Sequence, residues 1–141
     1  MTVALGADHG GFALKEELKR YLTERFFQVI DCGTHSDDPV DYPYYGKKVA
    51  EHVLSGQAQK GVVVCGTGIG ISIAANRTPG VRAALCTDSY MARMARAHND
   101  AQVLALGARV VGTGLALDIL ASFLNTEFEK GRHVQRVAQL D

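Results

Sequence analysis

The sequence has no surplus of charge: 15 Lys and Arg stand against 15 Asp and Glu, a formal net charge of zero at pH 7. Partners such as nucleic acid or an anionic membrane surface call for a basic excess, so the balance argues against both. Long apolar runs are also missing. The longest uncharged stretch, Gly61 to Asn76, is too short to cross a bilayer and carries four glycines. Met1 to Leu5 has no basic region and only a brief apolar segment, so no secretory signal is expected and the cytoplasm is the expected compartment. Cysteine is sparse. Cys32, Cys65 and Cys86 form no CxxC spacing, and an odd, widely spaced set suits reduced thiols rather than a disulfide framework. No histidine pair has metal-ligand spacing, so no metal is expected. No linker, repeat or low-complexity tract interrupts residues 1–141, which read as one domain large enough for a single core.

What is present is an alternation of short apolar runs and longer segments of helical period. The runs are Val3 to Ala7, Val29 to Cys32, Gly61 to Cys65, Val81 to Cys86 and Gln102 to Leu106. Val62-Val63-Val64-Cys65 is apolar at successive positions, as in a strand covered on both faces. Helices are expected over Phe12–Phe26, Tyr44–Leu54, Gly70–Asn76, Asp88–Ala97 and Gly114–Phe123. In the first, Leu14, Leu18, Tyr21 and Leu22 share a stripe, and Lys15, Glu16, Lys19 and Arg20 lie largely elsewhere. Five β-α units in succession predict an α/β protein: a three-layer α/β/α, Rossmann-like open parallel sheet of five strands, with a C-terminal helical tail. Gly33 to Tyr42 reads as a surface loop.

Ligands of such sheets sit at the carboxyl ends of the strands, where strand order reverses. Gly66-Thr67-Gly68-Ile69-Gly70 follows the third strand there, and its glycines let backbone N–H groups converge on an anion at a helix N-terminus. The bland alternative is a tight strand-helix turn. A dinucleotide fingerprint fails because Ile71 stands where its third glycine belongs, and no P-loop lysine follows. Cys65 ends the strand just before this turn, where a thiol ionises more readily and can act as nucleophile or base. A Cys-x5-Arg phosphatase loop is ruled out by Ile71. Cys32 and Cys86 fit the ordinary role of small buried hydrophobes. Asp8-His9 follows the first strand, where Asp8 alone is equally well a helix cap. His98 ends the fourth helix, and His35 and His52 read as surface residues. Arg132 and Arg136 share a face if the tail is helical. In isolation that is a solvated face; functionally it is a phosphate clamp.

Gly6-Ala7-Asp8-His9-Gly10-Gly11-Phe12, Asp41-Tyr42-Pro43, the run Cys65 to Asn76, His98-Asn99-Asp100, Gly107 to Gly112 and Gly131-Arg132-His133 together resemble the ribose-5-phosphate isomerase B family. That family also includes allose-6-phosphate and galactose-6-phosphate isomerases. The resemblance implies interconversion of ribose 5-phosphate and ribulose 5-phosphate through an enediolate, without metal or nucleotide cofactor. On matching positions, it makes Cys65 the proton-shuttling base and His98 the ring-opening acid, with Asp8 assisting at the sugar hydroxyls. Gly66, Thr67, Gly68, Ile69, Gly70 and Asn99 would hold the enediolate oxygens; His9, Arg109, Arg132 and Arg136 would hold the phosphate. It also implies a homodimer, or a pair of such dimers, with His98 reaching the Cys65 of the other chain. Few apolar residues anchor the tail to its own core, which favours packing against a partner. A six-carbon sugar phosphate remains an alternative substrate, and a non-catalytic nucleotide-binding module is the rival outside enzymes. The roles of Tyr42 and His133 stay open at this level.

Overall fold

A computed structural model describes residues 1–141. Five strands, β1 (Thr2–Ala7), β2 (Gln28–Asp31), β3 (Lys60–Cys65), β4 (Ala83–Leu85) and β5 (Val103–Gly107), form one sheet. All neighbouring pairs are parallel, in the order β2-β1-β3-β5-β4. β1 and β3 are therefore neighbours with β2 outside β1, as the need for the Asp8 and Cys65 loops to meet requires. The helices are α1 (Phe12–Glu24), α2 (Tyr42–Leu54), α3 (Ile69–Asn76), α4 (Ser89–Ala97), α5 (Thr113–Asn125) and α6 (His133–Ala138). This is the expected three-layer Rossmann-like arrangement with a helical tail.

Strand alternation divides the core. Val3, Leu5, Val62, Val64, Leu104 and Leu106 face Leu14, Leu18 and Leu22 of α1 and Ile119, Leu120 and Phe123 of α5. Ala4, Val63, Cys65, Val103 and Ala105 face Val49 and Ala50 of α2 and Ile71 and Ala75 of α3. Cys65 thus enters the site from the α2–α3 side. Each fully buried Leu or Phe here contributes about 1.5–3 kcal/mol relative to exposure.

Several boundaries shift for local reasons. α1 stops at Glu24, short of Phe26, because the chain turns left-handed at Phe26 (φ 65°). The Phe26 N–H donates to Thr23 O and the Phe27 N–H to Leu22 O, a Schellman closure built without glycine. α2 begins two residues early, at Tyr42, with Pro43 in its first turn, where a missing N–H costs nothing. β4 shrinks from the expected six residues to Ala83–Leu85. It is an edge strand, and the Asn76 side chain takes the place of a sixth strand: Asn76 Nδ2 donates to Ala83 O at 3.0 Å, and Ala83 N–H donates to Asn76 Oδ1 at 2.7 Å.

Lys15 departs most from the sequence reading. It belongs to the polar side of α1 by pattern but is fully buried. Its Nζ donates to both Asp31 oxygens, at 2.7 and 2.9 Å, and Lys19 Nζ adds a bond of 3.0 Å. Asp31 Oδ1 also accepts from Gly33 N–H at 3.0 Å. The Gly33–Thr34 segment is then zipped to the end of β1, with Ala7 N–H donating to Gly33 O at 2.7 Å and Thr34 N–H to Ala7 O at 2.8 Å. The ion pair therefore braces the loop beside Asp8. Burial by itself would raise the Asp31 carboxyl; Lys15, the Gly33 N–H and Lys19 outweigh it and hold the group below its ordinary value.

Candidate active site

β1 and β3 feed loops that diverge in opposite directions, since β2 lies on one side of β1 and β5 beyond β3. A crevice opens between them at the carboxyl edge. Cys65 stands at its floor, buried, and its Sγ accepts the Gly68 N–H at 3.1 Å. Gly68 is left-handed (φ 79°), and a Cβ there would fall 2.6 Å from Leu85 Cδ1. A Cβ on Gly107 would meet Thr67 O at 2.5 Å, so β5 and the turn close on each other only because both positions are bare. Thr67 is exposed at the tip, its Oγ1 accepting the Ile69 N–H at 3.2 Å. Gly70 lies under the Tyr42 ring, 2.6 Å from where its own Cβ would be. Tyr42 therefore roofs the loop, a placement its sequence context left open.

Asp8, His9 and Arg109 meet the same crevice. Asp8 is buried, and its Oδ1 accepts the Gly11 N–H at 3.1 Å; Gly11, not Asp8, is the N-cap of α1 and has no side-chain cap, so Asp8 ties down the turn before the helix instead of capping it. A methyl placed on Gly10 would lie 3.3 Å from Asp8 Oδ1, 3.4 Å from the Gly66 nitrogen and 3.6 Å from Arg109 Nη2. Those three groups converge on one spot. Arg109 is held there by its own backbone, its N–H donating to Gly66 O at 2.9 Å. His9 Nδ1 lies 3.1 Å from the Val40 nitrogen. The Val40 oxygen lies 3.2 Å from the same nitrogen, so Nδ1 accepts from the N–H in one tautomer and donates to the carbonyl in the other, and in both the Val40 backbone anchors the ring.

The other candidates lie elsewhere. α4 leaves the carboxyl end of β4 and returns to the amino edge, where His98 caps it and Asn99 follows. Val103, just beyond, pairs with Gly61, whereas Cys65 pairs with Gly107. Four strand steps separate those rows, roughly 13 Å at ~3.3 Å per residue. The tail docks on the same amino edge. Glu129 N–H donates to Ala97 O at 3.0 Å, and the His133 ring stacks on His98 with centroids 4.3 Å apart and planes 12° from parallel. Arg132 caps α6 and Arg136 lies one turn on, both exposed. Burial first, then His98 and Arg132, hold His133 below the ordinary histidine range. The candidate residues thus fall in two groups on opposite edges of one sheet: Asp8, His9, Cys65 to Gly70 and Arg109 on one, and His98, Asn99, Arg132 and Arg136 on the other.

Sequence reasoning missed what builds the amino edge. Buried Arg96 donates from Nη1 to Asp100 Oδ1 at 2.9 Å and to Ala101 O at 2.7 Å, and from Nε to Thr126 O at 3.3 Å. Arg82 donates from Nε to Asn99 O at 3.1 Å and from Nη1 to both Asp141 carboxylate oxygens at 2.8 Å. The same edge gathers His98, Glu129 and His133, whose ligand atoms lie within 4.8 Å of one another. Spacing along the chain could not reveal that cluster. No helix is long and apolar enough to cross a membrane.

A doubly wound parallel sheet with a cysteine in an N–H-lined turn at its switch point defines a small-molecule enzyme of the α/β class. The family model described as "Ribose/Galactose Isomerase" matches residues 3–140, and the chain belongs to that family; it is a sugar-phosphate isomerase. It is 50% identical over 135 residues to ribose-5-phosphate isomerase B of Escherichia coli (strain K12), covering 96% of this chain and 91% of that one. It is 40% identical to a D-erythrulose-4-phosphate isomerase of Pectobacterium atrosepticum, covering 99% and 93%. Among solved structures, ribose-5-phosphate isomerase B of Clostridium thermocellum superposes with a TM-score of 0.99 at 58% identity, covering 99% of this chain and 95% of that one. That of Thermotoga maritima gives 0.98 at 48%, covering 99% and 97%.

Proposed function

We propose that the chain interconverts ribose 5-phosphate and ribulose 5-phosphate in the cytoplasm, in sites completed by a second copy of itself. The observation that carries the reading is Cys65 at the crevice floor, with the Gly68 N–H on its sulfur and the glycine turn around it. His98 of the partner copy, the ring-opening acid, first protonates the ring oxygen while Asp8 receives the hydroxyl proton. The Cys65 thiolate then takes the proton from C2, and the C–H electron pair becomes the C1–C2 double bond as the aldehyde oxygen turns into the enediolate oxygen. Returning the proton to C1, while the O2 hydroxyl proton passes to O1 and C2 becomes the carbonyl, completes the ketose. The remaining N–H groups of the Gly66 to Gly70 turn, with Thr67 and the partner's Asn99, meet the developing charge from a turn that Cys65 Sγ and Thr67 Oγ1 hold through the Gly68 and Ile69 N–H groups. The phosphate lies among His9, Arg109, Arg132 and Arg136, where its binding energy orients the sugar.

The sharing of sites is supported by the placement of His98 and Cys65 on opposite edges of one sheet. Exposed Ile69 and Ile73 on α3 and Tyr44 on α2 supply apolar surface for a partner. Mixing inactive Cys65→Ala and His98→Ala proteins under conditions of subunit exchange tests it. Random pairing makes half the dimers mixed, each with one intact site, so about a quarter of all sites recover. Zero recovery despite verified exchange overturns the arrangement. The substrate is tested by turnover on ribose 5-phosphate, allose 6-phosphate, galactose 6-phosphate and erythrulose 4-phosphate. The four-carbon arm is motivated by the Pectobacterium relative, and preference for another sugar would move the assignment within the class.

A further inference from the structure

Around His98 the amino edge carries donors that no step of the sugar reaction uses. We propose that His98, Glu129 and His133 bind a transition-metal dication of the Zn2+ class, and that its presence withdraws His98 from the sugar. The second half rests on the role proposed above for His98; the first does not.

Three segments converge to form the set: the C-cap of α4, the connection after α5, and the first residue of α6. Their approach is held by backbone bonds, from Glu129 N–H to Ala97 O at 3.0 Å and from His133 N–H to Lys130 O at 3.0 Å. Lys130 and Gly131 are both left-handed (φ 65° and 54°), which folds the chain back so that Glu129 and His133 face the same space. One Glu129 oxygen lies 3.7 Å from His98 Nε2, and the other lies 3.9 Å from His133 Nε2. Tetrahedral zinc, with bonds of ~2.0–2.1 Å, sets its ligand atoms about 3.3–3.4 Å apart. With one ligand atom from each residue the set spans up to 4.8 Å, so closing it needs up to about 1.4 Å of approach and a tilt between the stacked rings. The groups free to move are Glu129 and His98, whose side chains are 54% and 39% exposed; His133, at 8%, is the fixed ligand.

Two imidazoles and one carboxylate select zinc and its neighbours over magnesium or calcium, which require oxygen shells. Three protein ligands leave a fourth position for water. Arg132 and Arg136 stand nearby and oppose a dication, so the site is weaker than a structural zinc centre. Bound metal and sugar phosphate then compete for His98, which makes the site inhibitory.

Calorimetric titration of ZnCl2 into the purified full-length protein tests binding, with CoCl2 giving the visible band of a tetrahedral site. Cys65→Ser controls for capture by the thiol. One Zn2+ per chain is expected in the parent and in Cys65→Ser, with affinity at least about tenfold weaker in His133→Ala and in Glu129→Gln. Glu129 is exposed, so Glu129→Gln keeps the fold even if His133→Ala does not. Absence of binding, binding that disappears with Cys65, or undiminished binding to Glu129→Gln overturns the site. In a second arm, Zn2+ should slow isomerisation by the parent at concentrations that spare Glu129→Gln. Equal inhibition of both overturns the link to His98. The calorimetric arm stands whether or not the chain isomerises pentose phosphates, so the two failures are distinguishable.

Discussion

The two edges of the sheet are assembled by different physics. At the carboxyl edge, the strands deliver Asp8, Cys65 and Arg109 directly, and backbone contacts through Gly10, Gly66, Gly68 and Gly107 fix their spacing. At the amino edge, side chains do the assembling: Arg82 and Arg96 collect the carbonyls around Asn99, Asp100, Ala101 and Thr126. Backbone register sets the geometry of the carboxyl edge, whereas long side chains hold the amino edge together.

Cys65→Ala should show the carboxyl edge at its most sensitive. Turnover is expected to fall about a hundred- to ten-thousandfold, while the loss of the Gly68 hydrogen bond lowers stability by only about 1 kcal/mol. Cys32→Ala and Cys86→Ala should leave the chemical step intact. Burial pushes those thiols up to about 11 and about 12, so neither forms thiolate near neutral pH. Steady-state kinetics and chemical denaturation of the three variants check this, and near-normal turnover in Cys65→Ala would sink the thiol-base mechanism.

Lys15→Met attacks the brace beneath the same edge. It leaves Asp31 buried against one remaining lysine, and a loss of about 3–5 kcal/mol is expected. Because the folded Asp31 carboxyl is lowered, its contribution is complete above the unfolded value of about 3.9 and drains as pH falls through the folded one. Denaturation of the parent from about pH 5 downward to about pH 2 should show that acid limb, and Lys15→Met should flatten it.

Arg96→Met addresses the other edge. Removing its bonds to Asp100, Ala101 and Thr126 should cost about 2–3 kcal/mol and loosen the tail that carries Arg132 and Arg136. KM for the sugar phosphate should then rise more than kcat falls; an unchanged KM would mean that the edge stays assembled without Arg96. The smallest effect is expected where neither constellation is touched. Phe26 is 94% exposed and left-handed, so Phe26→Gly should raise stability by about 1 kcal/mol without altering kinetics, as thermal melts would show.

The difference between the edges also explains what the sequence disclosed. Strand period and glycine spacing are local signals, so the parallel sheet and the Cys65 turn could be read from them. The amino edge depends on partners far apart in the chain. His98 meets His133 across 35 positions, and Arg96 meets Thr126 across 30. Lys15 misled for the same reason: it is charged, as are Glu16 and Lys19 beside it, and the carboxylate that justifies its burial belongs to β2. β4 was read three residues too long: before it the Arg82 N–H turns to the Gln102 side chain, and at its open edge the Asn76 side-chain amide, invisible to propensity, occupies the backbone of Ala83.

That amide has a consequence for assembly. Parallel alternation turns the N–H and C=O of Ala83 and Leu85 away from β5, and Asn76 already engages the first of these residues. A single remaining rung is too short to template a strand from another molecule. Growth of the sheet across that boundary is closed, which guards against runaway edge-to-edge association. Two copies that join on this side must do so through helix faces, leaving each sheet its own fixed width.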